Sequence, residues 1–227
     1  MKKLSTIIGL VLATFVLAVG ASAQTYSFFG VAGYTSPGNN SFRAAQVTST
    51  DYNVDPNFYG GIDYSVPDGM TIADLNQLST DYKAVSGGCG GGSPRFVVET
   101  ATGHIDFWWT CVADNVYHNT GDLTEGAVDV YAGYPGAYQM PFSAFQALYG
   151  SDEITAIYLV MDGGWSTGTQ VFHFDNTLIN STLFTYEPPT PPNANACKNG
   201  GWHNYFRANG TTFKNQGDCI QYVNTGK

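Results

Sequence analysis

The chain has 227 residues and a formal net charge of −9, with 12% charged residues, 15% aromatic residues and 27 glycines. A chain this acidic repels polyanions, which argues against nucleic acid and anionic membrane surfaces as partners. No segment of the mature chain is apolar over the roughly 20 residues that a bilayer-spanning helix needs, so no membrane insertion is expected.

The amino terminus reads as an export signal. Lys2 and Lys3 precede an apolar run from Ile7 to Val19, and Ala21-Ser22-Ala23 places small residues where a signal peptidase reads. Residues 1–23 are expected to be removed and the mature chain to be secreted, outside the cell or on its surface. Cys89, Cys111, Cys197 and Cys219 form two equally spaced pairs. An even count in an exported chain reads as disulfides, and no C-x-x-C spacing favours zinc. The local pairing, Cys89–Cys111 and Cys197–Cys219, is favoured because each pair lies inside one candidate folding unit. Closing loops of this length stabilises by about 3 kcal/mol in the chain-entropy model.

From residue 24 to 186 the elements are strands. Tyr26 to Val31 is an aromatic and β-branched run, and Phe58 to Val66 alternates around Tyr59, Ile62, Tyr64 and Val66. Ile72 to Leu78 reads as a helical turn. Arg95 to Thr100, the turn residues Thr102-Gly103 and His104 to Thr110 read as a hairpin. Ala127 to Tyr131 is the next strand, Pro141 to Leu148 a second helical stretch, and Ile154 to Met161 and Gln170 to Ile179 the last strands. Turn residues in every gap predict an all-β fold, an antiparallel sandwich. Residues 187–193, Glu187 to Asn193, are proline-rich and predict an extended linker. Residues 194–227 then form a small disulfide-closed C-terminal module. Charge divides along the same line. Residues 24–186 carry sixteen acidic side chains against Arg43, Lys83 and Arg95, whereas in the tail Lys198, Arg207, Lys214 and Lys227 stand against Asp218 alone.

Two stretches resemble known families. Ile154 to Trp165, with its Asp162-Gly163 turn, and Val171 to Asn176, ending in Asp175-Asn176, resemble the last two strands of galactose-binding-like jelly rolls. That family is used widely as carbohydrate-binding modules and as accessory domains of surface proteins. The resemblance implies a jelly-roll-like sandwich, with Asp162 and Asp175 helping to hold a structural calcium ion. Asp before Gly or Asn is also ordinary turn chemistry. The tail, C-K-x-G-G-W through F-K-N-Q-G-D-C, looks like a short module that ends many bacterial secreted proteins. A bacterial source would leave the sequons at Asn39, Asn180 and Asn209 unglycosylated.

Aromatic planes stack on the apolar faces of sugar rings. The candidates are Trp108, Trp109, Tyr131, Tyr134, Tyr138 and Trp165, set against ordinary sandwich packing of the same rings. Trp108 and Trp109 are neighbours on a strand and must point to opposite faces. His104 and Asp106 share one strand face, as do His173 and Asp175, but spacing of two on a strand also arises by chance. No catalytic residue is singled out: Gly163 to Gly168 lacks the G-x-S-x-G nucleophile elbow, and no carboxylates can be placed across a sugar from sequence. The leading reading is non-catalytic binding of a glycan or cell-surface polymer. The alternatives are an extracellular polysaccharide hydrolase or lyase, and a structural or adhesive surface protein without a small ligand.

Overall fold

The computed structural model describes residues 25–53, 58–131, 133–135 and 139–227; the expected export segment and Tyr138 lie outside the described residues. The strands in chain order are β1 (Tyr26–Gly30), β2 (Ala32–Thr35), β3 (Ala44–Ser49), β4 (Gly60–Tyr64), β5 (Leu78–Ser86), β6 (Arg95–Thr100) and β7 (His104–Trp108). Then come β8 (His118–Asn119), β9 (Ala127–Tyr131), β10 (Gln139–Pro141), β11 (Ile154–Met161), β12 (Gln170–Ile179) and β13 (Thr182–Phe184). Helix α1 (Phe142–Tyr149) precedes β11, α2 (Gly164–Thr167) follows it, and α3 (Gln216–Thr225) ends the tail.

Two antiparallel sheets face each other. One has seven strands in the order β1-β4-β11-β6-β7-β9-β10, the other six, centred on β3, β12 and β5 and extended by β13. The antiparallel sandwich is as expected, and so are the hairpin of β6 and β7 and both disulfides, Cys89–Cys111 and Cys197–Cys219. The second helical stretch is α1, but the first shrinks to a single 3-10 turn at Ile72–Asp74, and its last residue, Leu78, opens β5.

Period-two alternation builds the interior. Phe96 and Val98 on β6, Ile105 and Phe107 on β7, and Phe172 and Phe174 on β12 all turn inward and are buried. Each such side chain contributes roughly 1.5–3 kcal/mol by leaving water. A buried polar knot ties the layers: the Tyr64 hydroxyl lies 2.8 Å from that of Tyr186 and 3.0 Å from Thr177 Oγ1. All three groups find partners there, so burying them leaves no orphaned hydroxyl.

The tail has its own small core of Cys197, Phe213 and Cys219, with Trp202, Tyr205 and Tyr222 packed around it. Asn215 caps α3 by accepting from the Asp218 backbone N–H at 2.9 Å. Residues 187–193 are not a bare spacer: Pro188 and Pro191 are buried, and the Pro189 carbonyl accepts from the Phe206 N–H at 3.0 Å. The charge difference does not make the join. Among the described residues no ion pair links tail to body; instead the Arg43 guanidinium lies between the rings of Tyr34 and Phe206.

Candidate functional site

The inward residues of β6, β7 and β9 fix what the opposite face of the seven-stranded sheet presents. With Phe96, Val98, Ile105, Phe107 and Val128 in the core, Arg95, His104, Asp106, Trp108, Asp129 and Tyr131 must point away from it. Register brings them together. Arg95 faces Trp108, His104 faces Tyr131, and Asp106 faces Asp129 across neighbouring strands. They line a cleft of about 720 Å³, with Asp162 from the end of β11 and Tyr52 and Phe58 from the loop before β4.

A second hollow of about 440 Å³ continues along the same face. It shares Arg95 and Asp162 with the first and adds Phe29, Tyr59, Asp63 and Tyr158. Its rings are in contact: Phe29 sits 6.0 Å from Tyr158 and 6.2 Å from Tyr59. Phe29 can lie across the sheet because Gly61 is beneath it; a Cβ there would strike the Phe29 ring. From β1 to β9 is five strand steps, so the groove spans about 24 Å.

Arg95 is the hub. Its Nη1 and Nη2 donate to the two Asp162 carboxylate oxygens at 2.6 and 2.9 Å, and Nη1 also donates to the Gly92 carbonyl at 2.7 Å. Its Nε lies 2.9 Å from Asp106 Oδ2, an ion pair by distance although the N–H is aimed off the oxygen. The guanidinium also approaches the Trp108 ring, 5.4 Å from its centre. Gly92, in the left-handed region at φ +80°, packs on the far edge of that ring, where a Cβ would clash with the indole. The loop carrying Gly92 is closed onto the strand end after Trp109 by the Cys89–Cys111 disulfide. Trp108 is thus held between a guanidinium and a disulfide-pinned loop.

The polar groups of the cleft are incompletely paired. Asp106 and Asp129 are 3% and 8% exposed, yet Oδ1 of each has no hydrogen-bond partner, and neither does the Trp108 indole N–H. Burial pushes the Asp106 carboxyl up to about 6; Arg95 opposes the rise, while Asp162 and Asp129 add to it. His104, stacked on Tyr131 with ring centres 5.0 Å apart, has its pKa lowered by burial, more than Glu99 raises it. The Tyr158 hydroxyl donates to Glu99 at 2.8 Å, and burial followed by that bond raises its pKa. Rings for stacking, incompletely paired carboxylates and one anchored guanidinium equip the groove to hold a polyhydroxylated chain.

Of the aromatic candidates, Trp108 and Tyr131 line the cleft. Trp109 turns the other way, onto the core beside Tyr82 and Phe96. Tyr134 corrects the expectation of an exposed loop ring. It is 9% exposed, packed edge-on against Phe145 of α1, with its hydroxyl bonded to Thr100 and Asp152. The side chain of Trp165 lies outside what is described. Asp162 and Asp175 do not come together as the calcium expectation requires. Asp162 serves Arg95, whereas Asp175 sits on the six-stranded sheet and is filled by donors from Asn39 N, Ser41 Oγ and Asn176 N. Among the described residues no group of three or more His, Cys, Asp or Glu could hold a metal ion.

The sequence reading passed over Arg95, Asp129, Phe29, Tyr59, Asp63 and Tyr158 as site residues, and it put His104 and Asp106 on one strand face, a spacing that also arises by chance. The usable signal was alternation: once Ile105 and Phe107 are inward, His104, Asp106 and Trp108 share the outer face.

No protein-family model matches the chain, and no curated protein matches it. Two solved structures are similar in fold. One is the family 11 carbohydrate-binding module of the cellulosomal cellulase Lic26A-Cel5E of Clostridium thermocellum, 15% identical, over 80% of this chain and 99% of that one, with a TM-score of 0.41. The other is a family 11 module from Clostridium thermocellum in complex with a β-1,3-1,4-mixed-linked tetrasaccharide, 16% identical, over 69% and 88%, with a TM-score of 0.38.

Proposed function

We propose that the chain is an exported, non-catalytic glycan-binding protein whose ligand lies along the outer face of the seven-stranded sheet. One observation carries the reading: a single groove lined by the rings of Phe29, Tyr59, Tyr158, Trp108 and Tyr131 together with Asp63, Asp106, Asp129, Asp162 and Arg95. Ring faces suit the C–H surfaces of sugars, carboxylates accept from hydroxyls, and the length suits several sugars in a row. Two closed disulfides support folding in an oxidising compartment. The test is a pull-down of the purified protein on insoluble polysaccharides together with a glycan array. Saturable binding that weakens in Trp108→Ala supports the reading, and failure to bind any glycan removes it.

A hydrolase is the second reading, favoured by the buried pair Asp106 and Asp129, one of whose carboxyls is held up to about 6. A raised acid beside a second carboxylate is the arrangement glycosidases use. Release of reducing ends from any polysaccharide, abolished in Asp106→Asn, would establish it; binding without turnover excludes it for the polymers tried.

A further inference from the structure

Resting on the reading of this groove as a glycan site, we infer that its ligand is an aminoglycan, a chain whose sugars carry free protonated amines, one of them seated against Asp106 and Asp129. The cleft is short of positive charge in a way that its own residues do not repair. Asp106 and Asp129 are direct cross-strand partners, each more than nine-tenths buried, and each keeps an oxygen without a partner. Buried carboxylate oxygens are normally satisfied, so an unpartnered, buried pair on two residues that line a cleft marks a place where an outside cation is favoured.

Arg95 cannot supply it. Both of its Nη groups are committed to Asp162, and one also to Gly92, which leaves only Nε for Asp106. His104 Nε2 stands 3.9 Å from Asp106 Oδ1, beyond hydrogen-bond reach, and burial lowers its pKa and so disfavours its charged form. Glu99 and Asp63 extend the negative row further along the face. One guanidinium therefore stands against three carboxylates in the cleft and four along the groove, with Glu99 beside it.

That balance discriminates among polymers. A uronate or sulfated chain would bring like charge to buried carboxylates. A neutral chain can donate hydroxyls, but it would strip water from charges that it does not compensate. An ammonium group has three donors and cancels charge as it desolvates. Trp108 and Tyr131 also line the cleft, one face of each already taken by Arg95 and by His104, and an aromatic rim is a favourable surrounding for a cation. Burial, and after it the neighbouring Asp162 and Asp129, push the Asp106 carboxyl up against the pull of Arg95, and a bound cation would relieve that push.

The test compares glucosamine oligomers, N-acetylglucosamine oligomers of the same length, neutral β-glucan oligomers and galacturonate oligomers by calorimetry. The whole chain, purified from an exporting host, is used just above pH 6, where Asp106 is largely ionised and the sugar amines keep part of their charge. The free-amine oligomer is expected to bind about tenfold or more tighter than its acetylated form, the scale of one charge-assisted bond. Its affinity should fall with added salt, and galacturonate should not bind. Asp129→Asn should lose about tenfold on the amine oligomer while melting as the parent does. Should that variant prove unstable, the acetylated ligand still decides, since it alters no residue. Equal or tighter binding of the acetylated or neutral oligomers overturns the inference and leaves the glycan-binding reading standing. Binding of no oligomer overturns both.

Discussion

The outer faces of the two sheets carry similar residues in opposite states. On the six-stranded sheet Asp81 accepts from the side-chain amides of Asn39, Asn119 and Asn176 at 2.8–2.9 Å. Its cross-strand neighbour Asp175 is filled by a hydroxyl and two backbone N–H groups. On the seven-stranded sheet Asp106 and Asp129 are as deeply set, yet each retains an unpartnered oxygen beside an open cleft. Carboxylates that find all their donors inside the chain serve the fold; those that do not are available to something else. The presence of Asp on a strand says neither.

The comparison breaks if the two kinds of carboxylate respond alike to mutation. Asp175→Ala strands three donors and should cost about 3 kcal/mol in chemical denaturation while leaving glycan affinity unchanged. A stability loss within the scatter of surface substitutions would show that its network is ornamental. Trp108→Ala should do the reverse. It removes the ring held between Arg95 and Gly92 and should weaken glycan binding by about 2 kcal/mol, as central aromatic contacts do, with a smaller change in melting.

Acid sharpens the contrast, because the two faces carry buried groups that titrate with opposite sign. Asp106 is held at about 6 in the folded chain against an ordinary 3.8. Between those values the folded state binds more protons than the unfolded, so its contribution to stability grows as pH falls. His173 on β12 is pushed to about 4 from 6.5, by burial first and then by the Lys83 charge. There the unfolded state binds more protons, and its contribution is lost as pH falls through the same region. The parent should therefore show a flattened stability profile between about pH 4 and 6. Asp106→Asn should lose stability more steeply on acidification, and His173→Gln should hold or gain. Parallel profiles for all three proteins would mean that neither group is tuned as its burial implies.

What the sequence made legible follows the same physics. β6, β7 and β12 were readable because bulky inward residues alternate with mostly polar ones, and β11 because it is a β-branched and aromatic apolar run. β5 was not, since its inward row, Leu78, Thr80, Tyr82 and Ala84, mixes strong and weak apolar residues and the stretch before it mimics a helical turn. β3, with Ala45, Val47 and Ser49 inward, gives fainter alternation still. At the site, ring chemistry picked out Trp108 and Tyr131. The pairing of Asp106 with Asp129 is a matter of register between strands that are not consecutive in the chain, and no local pattern encodes it. Tyr134 misled because Gly133 and Pro135 suggest an exposed turn, while α1, arriving later in the chain, covers the ring.

The smallest expected effect concerns the tail. Its core is separate from that of the body; the Phe42 ring packs on Gly210, and Arg43 adds a side-chain link, its Cζ 4.8 Å from the centre of the Tyr34 ring and 5.2 Å from that of Phe206. Exposed guanidinium–ring contacts are worth about 0.5–1 kcal/mol each, so Arg43→Gln should weaken the join by about 1 kcal/mol. The Arg43 backbone N–H donates to Glu187 Oε1 at 3.0 Å whatever the side chain, so that anchor survives the change. Hydrogen exchange should then speed up at the amides of residues 187–210 along the join, while β6, β7 and β12 keep their protection. Within the tail, α3 should change little, because the Cys197–Cys219 bond and the Asn215 cap hold it independently of the body. Faster exchange throughout β6 and β7 would mean instead that tail and body open together, and that two cores do not here make two units.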